Sequence, residues 1–363
     1  MQREEMACLC FIHSIPGIGH KTLARIRQQA GSFRACLEGD DRLWKTWSLP
    51  AAACAGIVQA RQHNDPVSLY ERLQRDGIEV CCVEDDEYPE LLRNTADPPY
   101  LFYYRGDLHI LNEFCLAVVG SRVATSYGRT QAFRFGRELA GQGVVVVSGM
   151  ARGIDTEAHR GALEAGGKTA AVLGSGIDVI YPRENRKLYQ QIVDNGIVIS
   201  EFAPGTKPES GNFPARNRTI SGLSRGVLVV EAKQRSGALI TADFALEQGR
   251  DVFAIPGPIN SQNSMGTNNL IKQGACLVNS LDDILHEYGM DVAVNPASQQ
   301  GVLAFPADSD EAAVLEALAH DTVHFDRLVQ LSRLGVGKLS AALLKLELEG
   351  IIRAMPGNYY VKV

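Results

Sequence analysis

CLAVVG, residues 115–120, decides the fold, because it is an uninterrupted apolar run that ends on a glycine. A strand with one solvated face alternates apolar and polar residues, whereas a strand buried on both faces is apolar throughout. Five further near-continuous apolar runs follow it: GVVVVSG (143–149), KTAAVLG (168–174), GIVIS (196–200), GVLVVEA (226–232) and DVFAIPG (251–257). Repeated runs of this kind predict a parallel sheet with both faces covered.

Helical segments separate these runs, for example 127–140, 156–165 and 239–248. Right-handed crossovers between consecutive parallel strands place such helices on both faces of the sheet. The predicted fold class is α/β, with a Rossmann-like, doubly wound parallel sheet over residues 76–288. Residues 78–106 look like an extra strand and turn added to that sheet.

Residues 1–75 are helical by their apolar spacing and are expected to form a separate domain. Within them, IPGIGHKTLARI (15–26) resembles a helix-hairpin-helix element, in which glycines leave backbone amides bare at a helix N-terminus. Such amides can hold a phosphate without reading sequence. A glycine-rich turn in a helical protein-contact domain has the same pattern, so both roles stay open.

Residues 289–308 carry no periodic pattern and are interpreted as a linker to a last domain at 309–363. In that domain, three helical segments precede two strands separated by a turn, an order typical of a winged helix. The third helix carries Lys338 and Lys345 but also two glutamates, and it lacks an arginine-rich face. Protein contact or plain packing therefore explains this helix as well as DNA contact does.

With 363 residues, 45% of them hydrophobic, the chain has the composition of a globular protein with more than one domain. The net charge of −6 argues against a surface that is basic throughout, but it allows a local basic groove. No apolar stretch approaches the length that spans a bilayer, and a signal-peptide pattern is absent, so a cytoplasmic protein is expected. The eight cysteines lack the spacing of zinc sites, and no metal is expected.

Glycine-rich loops follow three of the predicted strands. In an open parallel sheet, the loops that leave the carboxyl ends of the strands face one crevice. Glycine lets the backbone approach an anion closely, and the helix after each loop offers free amides. Each loop alone suits any tight turn, but three together, two with an arginine, predict a phosphate-binding crevice. The candidate residues are Gly120, Ser121, Arg122, Gly149, Met150, Ala151 and Arg152, with Gly174-Ser175-Gly176 as the third loop.

Basic residues crowd the chain around the predicted strand at 226–232. Between Gly205 and Arg235 there are six basic residues and two acidic ones, in a chain that is acidic overall. Guanidinium groups spread along a groove suit a chain of phosphates better than one phosphate, and nearby rings can stack on bases. Pairing with carboxylates such as Glu201 is the alternative for the arginines, and core packing is the alternative for the rings. The candidates are Tyr181, Arg183, Lys187, Phe202, Lys207, Phe213, Arg216 and Arg218.

Two nucleotide-binding fingerprints are absent from the sequence. Neither the G-x-G-x-x-G of dinucleotide-binding proteins nor the G-x-x-x-x-G-K-[ST] of nucleoside triphosphatases occurs, so no cofactor is expected. Asp155, Glu157 and His159 lie close together, but no nucleophile accompanies them, and they are expected to orient the loop or cap its helix. No catalytic residue is assigned, and the protein is not expected to be an enzyme.

The combined motifs resemble the DprA/Smf family of DNA-processing proteins. The motifs that carry the resemblance are GSRVATSYG, VVSGMARGIDTEAHRGAL, AVLGSGIDVIYPRENRKLY, SEFAPGTKP, NFPARNRTISGLSRGVLVVEA, SGALITADFALEQGRDVFAIPG and GTNNLIKQGA, which cover most of residues 78–285 in order. The flanks fit as well, with a sterile-alpha-motif or hairpin-helix domain in front and a winged helix behind. The resemblance implies a homodimer that binds and protects single-stranded DNA and loads the RecA recombinase during natural transformation, without turnover chemistry.

The resemblance also implies roles for particular residues. The phosphate-gripping arginine of the family's G-S-R loop corresponds to Arg122, the basic residue after Tyr-Pro corresponds to Arg183, and the arginines of FPARNR correspond to Arg216 and Arg218. Family members often carry a lysine shortly before Phe-Pro, where this chain has none. Lys207 is the candidate that takes over this contact from a shifted position.

Two other functions stay as alternatives. Rossmann-like nucleotide phosphoribohydrolases, the lysine decarboxylase-like family, share G-S-R-type loops. Their P-G-G-x-G-T-x-x-E catalytic element has no match in RSGALITADFALEQGR, residues 235–250. A structural adaptor, in which the glycine loops are only turns, would have negligible affinity for oligonucleotides at low salt.

Overall fold

The computed structural model describes residues 1–63, 65–290, 309–318, 322–348, 351–355 and 357–362. The described residues fall into two units, one up to residue 290 and one from residue 309 onward. The predicted linker at 289–308 lies outside the described residues except for its first two positions. The domain boundaries placed after residues 75, 288 and 308 stay predictions.

The first unit is built around a sheet with strands β1 (Glu79–Cys82), β2 (Leu101–Gly106), β3 (Cys115–Val119), β4 (Val145–Ser148), β5 (Thr169–Val172), β6 (Ile197–Ser200), β7 (Gly226–Val229), β8 (Asp251–Ala254) and β9 (Cys276–Leu277). Their order is β1-β2-β6-β5-β4-β3-β7-β8-β9, and the strands from β6 to β9 in that order are parallel. The six predicted runs are β3 to β8, so the Rossmann-like sheet is confirmed. Residues 78–106 contribute two antiparallel strands, β1 and β2, rather than the single extra strand that the sequence predicts.

Helices cover both faces of this sheet. They are α1 (Arg3–His13), α2 (His20–Ala30), α3 (Phe33–Glu38), α4 (Asp41–Thr46), α5 (Ala51–His63), α6 (Pro66–Arg75), α7 (Glu90–Arg93), α8 (Ser126–Gly141), α9 (Ile154–Glu164), α10 (Arg186–Asn195), α11 (Asn212–Gly222), α12 (Gly237–Glu247), α13 (Met265–Lys272) and α14 (Leu281–Glu287). Alternate residues of β3 show why two layers form. Leu116 and Val118 share a buried cluster with side chains of α8 and α9, whereas Ala117 and Val119 share one with side chains of α11 and α12. Each fully buried valine contributes about 1.5–3 kcal/mol relative to an exposed one.

The N-terminal helices pack onto the sheet. Side chains of α1 to α6 belong to one buried cluster with residues of β2, β5 and β6. Across this contact, Nδ1 of His13 lies 3.0 Å from the hydroxyl of Tyr103, and burial lowers the pKa of His13 to about 4. The helical segment and the sheet therefore share a core.

The predicted hairpin joins α1 to α2 through a turn at Gly17, whose φ of 84° suits glycine. Beside the start of α2, Nε2 of His20 lies 3.1 Å from a carboxylate oxygen of Asp97, and the Lys21 ammonium lies 3.5 Å from the other oxygen. The negatively charged group that contacts this turn is therefore the Asp97 side chain of the same unit. Phosphate contact by the hairpin stays a prediction.

The second unit contains α15 (Asp310–Leu318), β10 (Val323–His324), α16 (Phe325–Ser332), α17 (Val336–Leu348), β11 (Ile352–Met355) and β12 (Tyr359–Lys362). Its three strands pair in the order β10-β12-β11, and the predicted winged helix is confirmed. The two lysines of α17 face acids of α15. Lys345 Nζ lies 2.8 Å from Glu311, and Lys338 Nζ lies 4.0 Å from Asp310. No helix among the described residues is long and apolar enough to cross a membrane.

Candidate nucleic-acid interface

A cleft opens where the winding of the sheet changes direction. Strands β4, β5 and β6 continue from β3 to one side, and β8 and β9 continue from β7 to the other. At such a switch point, the loops after the two central strands diverge and leave a crevice at the carboxyl ends of the strands. A cleft of about 650 Å³ lies there, between the loop that follows β3 and the loop that follows β7.

The loop after β3, residues 120–125, is held by Glu231, which follows β7. The backbone amide of Ser121 donates to the Glu231 carbonyl oxygen at 2.8 Å, and the amide of Thr125 donates to its carboxylate at 3.0 Å. Gly128 lets the carboxylate approach, since a Cβ there would lie 2.3 Å from the carboxyl carbon. Because the loop uses this acid, Arg122 lines the cleft with no ion pair among the described residues.

Three side chains pack together on the wall of the cleft. The ring centroids of Tyr181 and Phe213 are 5.8 Å apart, and the guanidinium carbon of Arg122 lies 4.8 Å from the Phe213 centroid. Gly174 makes room for the phenyl ring, since a Cβ there would lie 2.7 Å from Cδ1 of Phe213. The first turn of α11 carries Phe213, so an aromatic ring and a cation are held together at the cleft.

Arg216 lies one turn further along α11, at the floor of the cleft, and is only 3% exposed. Its Nη1 donates to two carbonyl oxygens. One is that of Gly149, at 2.9 Å, and the other is that of Val172, the last residue of β5. Gly149 leaves space for this group, since a Cβ there would lie 2.5 Å from Nη2 of Arg216. Burial lowers the pKa of Arg216 to about 10, so the guanidinium is charged at neutral pH. The arginine therefore ties α11 to the ends of β4 and β5.

Buried polar groups shape the loop after β4. Met150 has a left-handed backbone conformation, with φ of 53°, and its side chain is fully buried. The amide of Ala151 donates to the Asp155 carboxylate at 3.3 Å, and the Asn185 side chain donates to the Met150 carbonyl oxygen at 2.9 Å. Burial raises the pKa of Asp155, and the positive charge of Arg216 opposes that rise. Asp155 orients this loop, as the sequence predicts.

His159 on α9 is enclosed by the protein. Its Nδ1 lies 2.7 Å from the hydroxyl of Thr169, and burial lowers its pKa to about 3. Glu157 lies 3.1 Å from the guanidinium of Arg160. Neither side chain lines the cleft, so the acid–base trio that the sequence suggests does not assemble there.

Three of the predicted contact residues are engaged within the protein. Arg218 donates to the Glu201 carboxylate and to the Asp97 carbonyl oxygen, and its side chain is largely buried. The carboxylate pairing that the sequence left open is therefore the observed one, because a buried guanidinium needs a counter-charge. Gly149 and Met150 are also covered, by the Arg216 guanidinium and by the core, and do not present backbone to an anion.

The remaining predicted cations are exposed but lie outside the cleft lining: Arg152, Arg183, Lys187 and Lys207. Arg152 is paired with Glu184. The other three side chains make no ion pair within the part of the chain that the structure describes. Arg183 lies two positions after the cleft residue Tyr181, so its charge is close to the rim.

The loop after β7 supplies cations that the sequence-based prediction omitted. Lys233 and Arg235 line the cleft, are exposed, and have no ion pair among the described residues. Ser236 follows them and caps α12, its hydroxyl accepting from the Ala238 amide at 3.3 Å. The switch-point rule places the loop after β7 at the same crevice as the loop after β3, but it can be applied only once the strand order is known.

The predicted site residues that the structure brings together at the cleft are Gly120, Ser121, Arg122, Ala151, Tyr181, Phe213 and Arg216, whereas Phe202 is not part of the cleft lining. Within the described residues, no three His, Cys, Asp or Glu side chains are placed to hold a metal ion. The fold and site define a class of protein: a Rossmann-like protein whose switch-point cleft combines aromatic rings with cations. Such a cleft suits a ligand that carries both phosphates and bases.

Comparison with known proteins identifies the family. Residues 79–289 match the family described as DNA recombination-mediator protein A, and residues 298–358 match the DprA winged helix domain. The chain is 33% identical to Protein Smf of Synechocystis sp. over 99% of both chains. It is 42% identical to Protein Smf of Escherichia coli, over 79% of this chain and 78% of that one. The chain belongs to the DprA/Smf family.

Two solved structures resemble this one. DNA processing protein A from Streptococcus pneumoniae has a TM-score of 0.68 and 37% identity, over 79% of this chain and 98% of that one. DNA processing protein A from Helicobacter pylori, solved to describe its single-stranded DNA binding mode, has a TM-score of 0.53 and 31% identity, over 58% of this chain and 95% of that one. The family and these neighbours favour a DNA-processing protein over the phosphoribohydrolase alternative.

Proposed function

We propose that this chain binds single-stranded DNA in the switch-point cleft. The observation that carries the proposal is the cluster of Tyr181, Phe213 and Arg122 at the carboxyl end of the sheet. A base can stack on the aromatic faces while the cations contact the flanking phosphates. Lys233 and Arg235 lie in the same cleft and provide two further phosphate contacts. The single-stranded DNA binding mode described for the Helicobacter pylori relative supports this assignment.

The shape of the cleft favours a single strand over a duplex. Its volume of about 650 Å³ accommodates nucleotides but not a double helix, so a base must be unstacked before it can reach Phe213. Every base has a π-face, and the cations contact only the backbone. We therefore expect little dependence on base sequence at this cluster and strong dependence on salt.

The exposed cations outside the cleft extend the path of the strand. Arg183, Lys187 and Lys207 are unpaired in the described part of the chain, and their charges attract the phosphates that lie beyond the cleft. Lys207 is expected to take over the contact that other family members make through a lysine nearer to Phe-Pro. Arg152 contributes less, because Glu184 neutralises it.

The wider role proposed here is protection of incoming single strands and loading of the RecA recombinase, by a homodimer and without turnover chemistry. The family description, a DNA recombination mediator, supports this role. It is tested by following RecA filament formation on single strands coated with a single-strand binding protein. We expect the chain to accelerate filament formation, and an unchanged rate would remove the loading role.

The binding proposal is tested by fluorescence anisotropy with a labelled thymidine oligonucleotide and a duplex of the same length. We expect tight binding of the single strand that weakens as salt rises, and weaker binding of the duplex. Arg122→Ala should weaken single-strand binding. Arg137→Ala is the matched control, because Arg137 is also exposed and lies at the other end of the helix that follows the Arg122 loop. Equal losses in both variants, or no binding by the wild type, would contradict the proposal.

A further inference from the structure

A second groove lies beside the cleft, on the other side of the first turn of α12. It has a volume of about 480 Å³ and shares Arg235, Ser236, Gly237 and Ile240 with the cleft. The two spaces are therefore separated by one turn of helix. A polymer that occupies the cleft and leaves it past Arg235 enters this groove next.

The groove differs chemically from the cleft. Its sides include the apolar side chains of Leu239, Ile240 and Leu270, and two amide side chains, Asn269 and Gln273, lie on α13 and just after it. Neither amide side chain makes a hydrogen bond with any described residue. An apolar surface with a few polar groups suits a flat, partly polar ring.

The charges in the groove argue against a phosphate there. Arg235 is its only cation among the described residues and stands where the groove meets the cleft, whereas Asp243 is exposed within it and has no ion pair in the described part of the chain. A carboxylate repels a phosphate but accepts a hydrogen bond from the exocyclic amine of cytosine. Amide side chains pair with the amine and ring nitrogen of adenine in the same way.

From this continuity and chemistry, we infer that the groove is a nucleobase subsite that receives a base of the strand bound in the cleft and prefers bases with an exocyclic amine. The inference rests on the proposed function, because the strand must first occupy the cleft. Arg235 contacts the phosphate between the two bases. Asp243, Asn269 and Gln273 contact the edge of the second base, so cytosine and adenine are favoured over thymine.

The test compares oligonucleotides of deoxycytidine, deoxyadenosine and thymidine of equal length. The double variant Asn269→Ala/Gln273→Ala should lose about fivefold in affinity for the adenine oligonucleotide and much less for the thymine one. Asp243→Asn should lower the ratio of cytosine to thymine affinity, even if the lost negative charge raises both affinities. Each variant is compared with the wild type on the same oligonucleotide, which cancels the self-stacking of the strand. Gln262→Ala is the control, because Gln262 is an exposed amide outside the groove.

The outcomes separate the subsite from the proposed function. If no oligonucleotide binds the wild type, the proposed function fails. If all three bind but the variants keep the wild-type ratios, the subsite is refuted and the cleft stands. Sedimentation of each variant adds a further refuting outcome: if the double variant loses self-association while the ratios stay unchanged, the groove is an interface between copies and not a base site.

Discussion

Replacing Arg216 by methionine removes a buried guanidinium that holds α11 against two strand ends. The carbonyl oxygens of Gly149 and Val172 lose their charged donor, and Asp155 loses a nearby positive charge. Hydrogen bonds to charged groups contribute about 1.5–3 kcal/mol each, and leaving a buried charge without its partner costs about 3–5 kcal/mol. Because these effects overlap, we expect the free energy of unfolding to fall by about 3–5 kcal/mol in total.

Arg122→Ala should change the salt dependence of DNA binding and leave stability almost unchanged. Arg122 is exposed, and its contact with the Phe213 ring contributes only about 0.5–1 kcal/mol, so the free energy of unfolding should change little. One phosphate contact accounts for about 0.7 of the slope of log affinity against log salt for a single strand. Arg122→Ala should therefore lower that slope by about 0.7. Arg216→Met should leave the slope unchanged while lowering affinity at every salt concentration, because Phe213 is no longer held in position.

Urea unfolding and anisotropy titrations at a series of salt concentrations measure both quantities on the same samples. Arg216→Lys serves as a second variant, since it keeps the charge but lacks the forked donor, and it should recover only part of the stability. The reasoning would be refuted if Arg216→Met kept wild-type stability and lowered the salt slope as much as Arg122→Ala does. In that case Arg216 would contact phosphate directly.

Three further expectations follow from individual residues. Gly174→Ala should weaken single-strand binding without changing the salt slope, because the new Cβ would lie 2.7 Å from the Phe213 ring, and anisotropy would show this. Stability should fall as pH drops from about 6.5 towards 4, because His13 is neutral in the folded state, with a pKa of about 4, while the unfolded chain takes up a proton. Urea unfolding at several pH values should show His13→Gln with a shallower decline, and equal slopes would contradict this. Incubation with nucleoside monophosphates should release no free base by chromatography, and release would revive the phosphoribohydrolase alternative.

The fold was largely predictable because its signals are local. Apolar runs such as 115–120 and 226–232 report burial on both faces, and the alternation of runs with helices predicts the sheet. The pairing of β2 with β6 was not predictable in this way, because it depends on contacts between segments far apart in the chain. Residues 78–106 therefore added two strands where a single one was expected.

The candidate site was predictable only in part, for the same physical reason. The sequence places Arg122 and Phe213 near the crevice, but the partner of each arginine depends on which side chain lies across from it. Arg218 forms an ion pair with Glu201, whereas Arg122 has no ion pair among the described residues and Glu231 is engaged by the loop after β3. Glycines near the strand ends were expected to admit a phosphate.

The structure gives at least two of these glycines a different role. Gly149 admits the guanidinium of Arg216, and Gly174 admits the ring of Phe213. The sequence shows where a glycine leaves space for another group, but it does not show which group occupies that space. The same limit explains why the cations of the loop after β7 needed the strand order before they could be assigned to the cleft.

Photo-crosslinking tests most directly whether a strand occupies the switch-point cleft. An oligonucleotide that contains 5-iodouracil is irradiated in complex with the full chain, and the crosslinked peptides are identified by mass spectrometry. We expect crosslinks at Tyr181 and Phe213, the two cleft rings whose centroids are 5.8 Å apart. Crosslinks confined to the winged-helix unit, for example at its exposed Tyr359, would contradict the account.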